Sequence, residues 1–127
     1  MPDKGKKIET YRDLIVWQKA VDLIVTSYQL SKRLPATETY GLASQIQRAA
    51  VSVAANIAEG FGRKQLGDYL QHLSISNGSL KELETHFIVI VRLGLVKSED
   101  VDPALRQAEE IGRMLAGLIQ KLNLKRR

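Results

Sequence analysis

His72 and His86 are the only two imidazoles in the chain, and there is no cysteine. Acid–base or metal chemistry at neutral pH would have to begin with them. They stand fourteen residues apart in a stretch with helical periodicity. That spacing puts them on roughly one face but about 21 Å apart, too far to share a metal ion. They read as partly exposed structural histidines. Glu82 and Glu84 are two residues apart and cannot face each other on a helix. A di-iron bundle needs Glu-x-x-His on two helices, whereas Glu82 and His86 are spaced by four and have no second copy. Gly60-Phe61-Gly62-Arg63-Lys64 lacks the spacing of a phosphate-binding loop, and no strand precedes it. A helix end explains its glycines, which tolerate positive φ. These residues argue against an enzyme and call for no cofactor or metal.

Two patterns remain. The first is a polar stripe, Gln45, Arg48, Ser52, Asn56 and Glu59, spaced 3, 4, 4 and 3 within an otherwise apolar segment. On a helix these residues span only about 80° of circumference. Counting outward from the turn near Phe61-Gly62 puts Arg48 level with Asn77, within reach of Glu82. Glu38 is another candidate partner. The stripe reads as a buried polar network that fixes helix register or subunit contacts. The other reading is a polar pocket for a ligand.

The second pattern is basic. Lys4, Lys6, Lys7 and Arg12 lie near the N-terminus, Arg63 and Lys64 in the middle, and Lys121, Lys125, Arg126 and Arg127 at the C-terminus. The formal net charge is +5, with a pI near 9.6. Such a surface attracts phosphate backbones by releasing counterions. The alternative is that basic termini merely aid solubility. Tyr11 and Phe61 are the only aromatics placed to stack on a base, so base-specific reading is not expected.

The elements that must position these groups are helices. The chain has 127 residues, 44% hydrophobic and 26% charged, which suits one globular domain. No apolar run reaches the roughly 18 residues of a membrane span, and the N-terminus lacks the apolar core of a signal peptide. With no cysteine, a cytoplasmic setting is expected. Leu14, Trp17, Val21, Ile24 and Tyr28 mark one face of a first helix beginning near Asp13. Val16, Ala20, Leu23, Leu30 and Leu34 mark a second face, so this helix has two surfaces to bury. Pro35 stops it. A second helix, about 42–60, is rich in alanine and should lie at the centre. A third, about 65–93, carries the seam Tyr69, Leu73, Ser76, Leu80, Leu83, Phe87 and Ile90. A fourth starts near Ser98 or Asp100 and repeats Ala104, Ala108, Ile111, Leu115, Leu118 and Leu122. Helices one, two and four are expected at about 20 residues, or about 30 Å, with helix three longer. Short links between such helices give an all-α, antiparallel up-down-up-down four-helix bundle over 13–122, flanked by a flexible basic arm, 1–12, and a basic tail, 123–127. That topology gathers the three basic segments at one end and cancels the charges at the other.

The stretch from Tyr40 to Gly60, YGLASQIQRAAVSVAANIAEG, resembles the signature of the bacterial 23S ribosomal RNA intervening-sequence proteins. Leu14 to Trp17 and Gly78 to Glu84 fit the same family, and the likeness covers about residues 11–122. The resemblance implies an antiparallel four-helix bundle assembled as a homopentamer. Family members are often encoded within insertions in large-subunit ribosomal RNA genes. A similar relative, the accessory variability determinant of diversity-generating retroelements, is a basic pentamer that binds nucleic acid and a reverse transcriptase. The expected function is therefore a non-catalytic oligomeric bundle that binds structured nucleic acid, RNA before DNA, or a protein–RNA complex, through its basic end. The alternative is a structural or adaptor module for another protein, with no nucleic-acid role.

Overall fold

The structure, a computed structural model, describes residues 7–126. Among these the chain is all-helical. Four α-helices run over Ile15–Ser31 (α1), Leu42–Phe61 (α2), Leu66–Arg92 (α3) and Ser98–Lys125 (α4), with short 3-10 helices at Tyr11–Asp13 and Ala36–Glu38. α1 packs on α2 and α4, and α3 packs on α2 and α4, so the helices form a closed four-sided bundle. Ser52 meets Ser79, Val53 meets Ser76, and Asn56 meets His72, so α2 and α3 run antiparallel. Lys19 pairs with Glu110 and Arg33 with Asp100, which shows the same for α1 and α4. α3 and α4 are also opposed: Gly112 lies by Leu80, and Gly67 by Arg126.

The expected seams form the core. Leu73, Ser76, Leu80, Leu83, Phe87 and Ile90 of α3 are fully buried, as are Ala104, Ala108, Ile111 and Leu115 of α4. Each large side chain contributes about 1.5–3 kcal/mol by leaving water. α3 passes through Asn77-Gly78-Ser79 without a break. α2 buries Ala43, Ala49, Ala50 and Ala54. These small side chains let its neighbours come close. Ser76 Oγ donates to the Val53 carbonyl across the α2–α3 contact at 2.8 Å, and a Cβ on Gly60 would stand 2.7 Å from His72 Cβ.

Several boundaries differ from the sequence reading. Regular structure among the described residues begins before Asp13, with a 3-10 helix at Tyr11–Asp13. Thr10 caps the first 3-10 helix, its hydroxyl accepting from the Arg12 backbone N–H at 3.2 Å. Asp13 Oδ2 accepts from the Glu9 and Thr10 backbone N–H groups, both at 3.0 Å. The Tyr11 ring meets Trp17 edge-on at 5.1 Å. The fourth helix is as long as the third, 28 against 27 residues, because nothing in Asn123-Leu124-Lys125 breaks it. Lys125 is therefore helical rather than part of a separate tail. Gly60 and Gly62 do not end α2 through positive φ. Gly62 has φ −79°, and Gly60 is buried inside the helix, where its lack of a Cβ admits His72. Positive φ among the described residues falls on Gly94 alone, at 74°. There the Gly94 N–H donates to the Val91 carbonyl and the Leu95 N–H to the Ile90 carbonyl, closing the end of α3.

Candidate nucleic-acid interface

Three segments distant in sequence meet at one end of the bundle. The α2–α3 link carries Arg63 and Lys64. The end of α4 arrives beside it, since Arg126 Nη2 would lie 3.6 Å from a Cβ on Gly67. The Tyr11–Asp13 turn, with Arg12, packs on both α1 and α2 at this end. Lys7, Arg12, Arg63, Lys64, Lys121, Lys125 and Arg126 are all exposed. None forms an ion pair among the described residues, although Arg12 lies 5.7 Å from the centre of the Tyr11 ring. These seven bases face four acids, Glu9, Asp13, Glu59 and Asp68. Lys4, Lys6 and Arg127 lie outside the described residues. The Phe61 and Tyr69 rings meet edge-on at 6.1 Å, so Phe61 is already engaged. Burial pushes the Tyr69 phenol up, which keeps it neutral.

At the opposite end four bases, Lys32, Arg33, Arg92 and Lys97, are balanced by four acids, Glu38, Glu99, Asp100 and Asp102. Arg33 Nη1 lies 3.0 Å from Asp100 Oδ1. Asp100 Oδ2 also accepts from the Lys97 backbone N–H at 2.9 Å. That backbone bond, then Arg33, holds the Asp100 carboxyl below its ordinary range.

The polar stripe of α2 borders a groove against α3, but not as the sequence suggests. Gln45, Arg48 and Glu59 are exposed, while Ser52 and Asn56 are half-buried. Ser52 Oγ shares a 2.8 Å hydrogen bond with Ser79 Oγ. Asn56 Nδ2 donates to the Ser52 carbonyl at 2.9 Å and to its hydroxyl at 3.1 Å. The expected Arg48–Glu82 pair does not form. Glu82 Oε2 lies 3.2 Å from His86 Nε2, one turn along the same helix. Arg48 has no ion pair or hydrogen bond among the described residues. Both side chains reach water, so nothing forces them together. Arg48 is also not level with Asn77. The four-residue link shifts the register, so Ser52 is level with Ser79 and Arg48 lies one turn further, near Leu83 and Glu82. Gln45, Arg48, Ala49, Ser52, Ser79 and Glu82 line an open cleft of about 370 Å³. A second cleft, of about 390 Å³, lies on the α1 side of Arg48 and is lined by Tyr28, Gln47 and Val51.

Sequence reasoning missed His72 as a member of this network. Its Nδ1 lies 3.0 Å from Asn56 Oδ1 and 3.8 Å from Glu59 Oε2. The signal was available, because antiparallel counting across the α2–α3 link brings the start of α3 onto the end of α2. No group of three or more potential metal ligands occurs among the described residues. No described helix is long and apolar enough to cross a membrane.

The family model for 23S rRNA-intervening sequence proteins matches residues 12–117. The chain belongs to that family. Its fold is similar to the crystal structure of a protein of unknown function from the S23 ribosomal protein family of Bacteroides thetaiotaomicron. The TM-score is 0.76 at 24% identity, over 83% of this chain and 98% of that one. No curated protein matches the chain by sequence. The family match divides the basic end. Arg12, Arg63 and Lys64 fall within it, whereas Lys7, Lys121, Lys125 and Arg126 fall outside. The whole α2 stripe, with its partners Ser79, Glu82 and His72, lies inside the family region.

Proposed function

We propose that the protein is a non-catalytic, homo-oligomeric helical bundle that binds structured nucleic acid, RNA before DNA, through its basic end in the cytoplasm. One observation carries this reading: three separate segments bring seven exposed bases, none ion-paired among the described residues, to one end against four acids, while at the other end Lys32, Arg33, Arg92 and Lys97 are balanced by Glu38, Glu99, Asp100 and Asp102. An evenly charged surface would need no such arrangement. Phosphate contact through exposed lysines and arginines releases counterions and is strongly salt-dependent. The family resemblance supports assembly, with five as the expected number. Val25, Tyr28 and Val51 also support it, being exposed apolar side chains on neighbouring parts of α1 and α2, at 53%, 38% and 42% of full accessibility.

The test is fluorescence anisotropy of labelled RNA and DNA hairpins over a salt series, alongside a chain ending at Leu124. Affinity should fall steeply with salt, and the shortened chain should give a shallower slope. Light scattering on the same samples reports the assembly. Absence of binding at low salt would overturn the reading. The adaptor alternative would then be tested against protein partners, whose binding should depend little on salt.

A further inference from the structure

His72 sits one turn inside the basic end, and its protonation state is wired to an acid there. Asn56 Nδ2 donates to Ser52 twice, which turns Asn56 Oδ1 toward the imidazole. Oδ1 can only accept, so the network assigns the ring hydrogen to Nδ1. Nε2 then holds the free lone pair and has no partner among the described residues. A proton taken up there leaves the Nδ1 hydrogen bond intact and puts a positive charge 3.8 Å from Glu59 Oε2. Glu59 has no other cationic partner among the described residues. The ring cannot retreat toward α2, because His72 Cβ is already packed on Gly60.

The surroundings make this charge matter. Arg63 follows Gly60 by three residues, so its Cα lies within about 11 Å of Gly60's. Glu59 is therefore a negative charge at the rim of the Arg63–Lys64 cluster. From α2, His72 is faced by Asn56 and Glu59. On α3, Asp68 and Tyr69 stand about one turn before it and Ser76 one turn after. Tyr69 stays neutral, and Ser76 is committed to the Val53 carbonyl.

We propose that His72 makes nucleic-acid binding at the basic end proton-dependent, by cancelling the charge of Glu59 when it is protonated. This rests on the nucleic-acid reading above. The sign follows from the phosphate ligand. The protonated form binds better, so affinity is higher at low pH than at high pH. One exposed unit charge supplies about a threefold change.

The experiment measures anisotropy of a labelled RNA hairpin with the full chain at about pH 5.5 and pH 8, either side of the imidazole range, at fixed ionic strength. The unmodified protein should bind about threefold tighter at the lower pH. His72→Gln should hold the weaker affinity at both. Glu59→Gln at pH 8 should match the unmodified protein at pH 5.5. His86→Gln, about 21 Å further along α3, should keep the full pH response. A full response in His72→Gln, or no gain in Glu59→Gln at pH 8, would overturn the proposal while leaving the basic-end reading intact. No binding at either pH would overturn both. Should His72→Gln not fold, an NMR titration of the unmodified protein decides. The hairpin must raise the His72 midpoint, and an unmoved midpoint refutes the proposal.

Discussion

The two ends of this bundle have similar construction and opposite electrostatics. Each has a short link between antiparallel helices and a glycine the fold needs, Gly60 for close approach and Gly94 for its positive φ. At the Gly94 end, Asp100 takes Arg33 and the Lys97 backbone, and four bases are matched by four acids. At the Gly60 end, seven exposed bases have no ion-pair partner among the described residues. Folding alone does not require that difference, since surface pairs contribute little either way. Unpaired like charges held together cost some self-repulsion. The contrast is what points outward, to an anionic partner.

The largest expected effect breaks this contrast directly. Arg63→Glu with Lys64→Glu should weaken hairpin binding by more than about tenfold at physiological salt and lower the salt slope by about two. The matched change at the other end, Arg92→Glu with Lys97→Glu, should leave both quantities nearly unchanged. Equal losses from the two pairs would mean that net charge, not its placement, drives binding.

The glycines sharpen the comparison through stability. Gly60→Ala places a Cβ 2.7 Å from His72 Cβ and 3.0 Å from Tyr69 Cδ1, between two packed helices. Overpacking of this kind costs about 2 kcal/mol. Gly94→Ala meets no atom within 4 Å but must adopt positive φ. That costs about 1 kcal/mol. Urea unfolding of the two variants should rank them in that order. The reverse order would mean that α2 and α3 can separate at little cost.

Acidification probes the Gly94 end through Asp100. Asp100 has a depressed folded-state pKa, so it contributes stability above the ordinary carboxylate range. That contribution is lost as pH falls through its folded value. Asp100→Asn should therefore flatten the acid side of a melting-temperature profile, with little change at alkaline pH beyond a constant offset. An unaltered acid limb would show that Asp100 carries none of the acid sensitivity.

What could be read from the sequence followed from periodicity. The α3 and α4 seams needed only the spacing of large apolar residues, and the core uses them. The meeting of Arg63, Lys125 and Arg12 needed only short links and helix count. Partner choice was not legible. Spacing placed Arg48 on a polar stripe, but whether it is buried depends on tilt and register, which the α2–α3 link sets. Glu82 found His86 on its own helix, where the geometry is local and needs no register. Gly60 looked like a stop because glycines often end helices. It is instead a point of close approach, which becomes visible only when the facing Cβ of His72 is in place.

Arg48 gives the smallest stability effect and the finest discrimination. Had it been buried against Glu82, removing it would have left a carboxylate stranded, at about 3–5 kcal/mol. It is exposed and has no ion pair or hydrogen bond among the described residues, between two open clefts. Arg48→Met should therefore change the unfolding free energy by no more than about 0.5 kcal/mol. Its consequence should appear in assembly instead. The side chain sits beside Tyr28 and Val51, on the exposed face proposed above for subunit contact, where an arginine would reach an acceptor on a second copy. Light scattering over a dilution series should show the variant dissociating at higher concentration than the unmodified protein. An unchanged dilution curve would remove Arg48 from the subunit contact. A drop in stability well beyond 0.5 kcal/mol at a dilution where both proteins are monomeric would restore a structural role within the single chain.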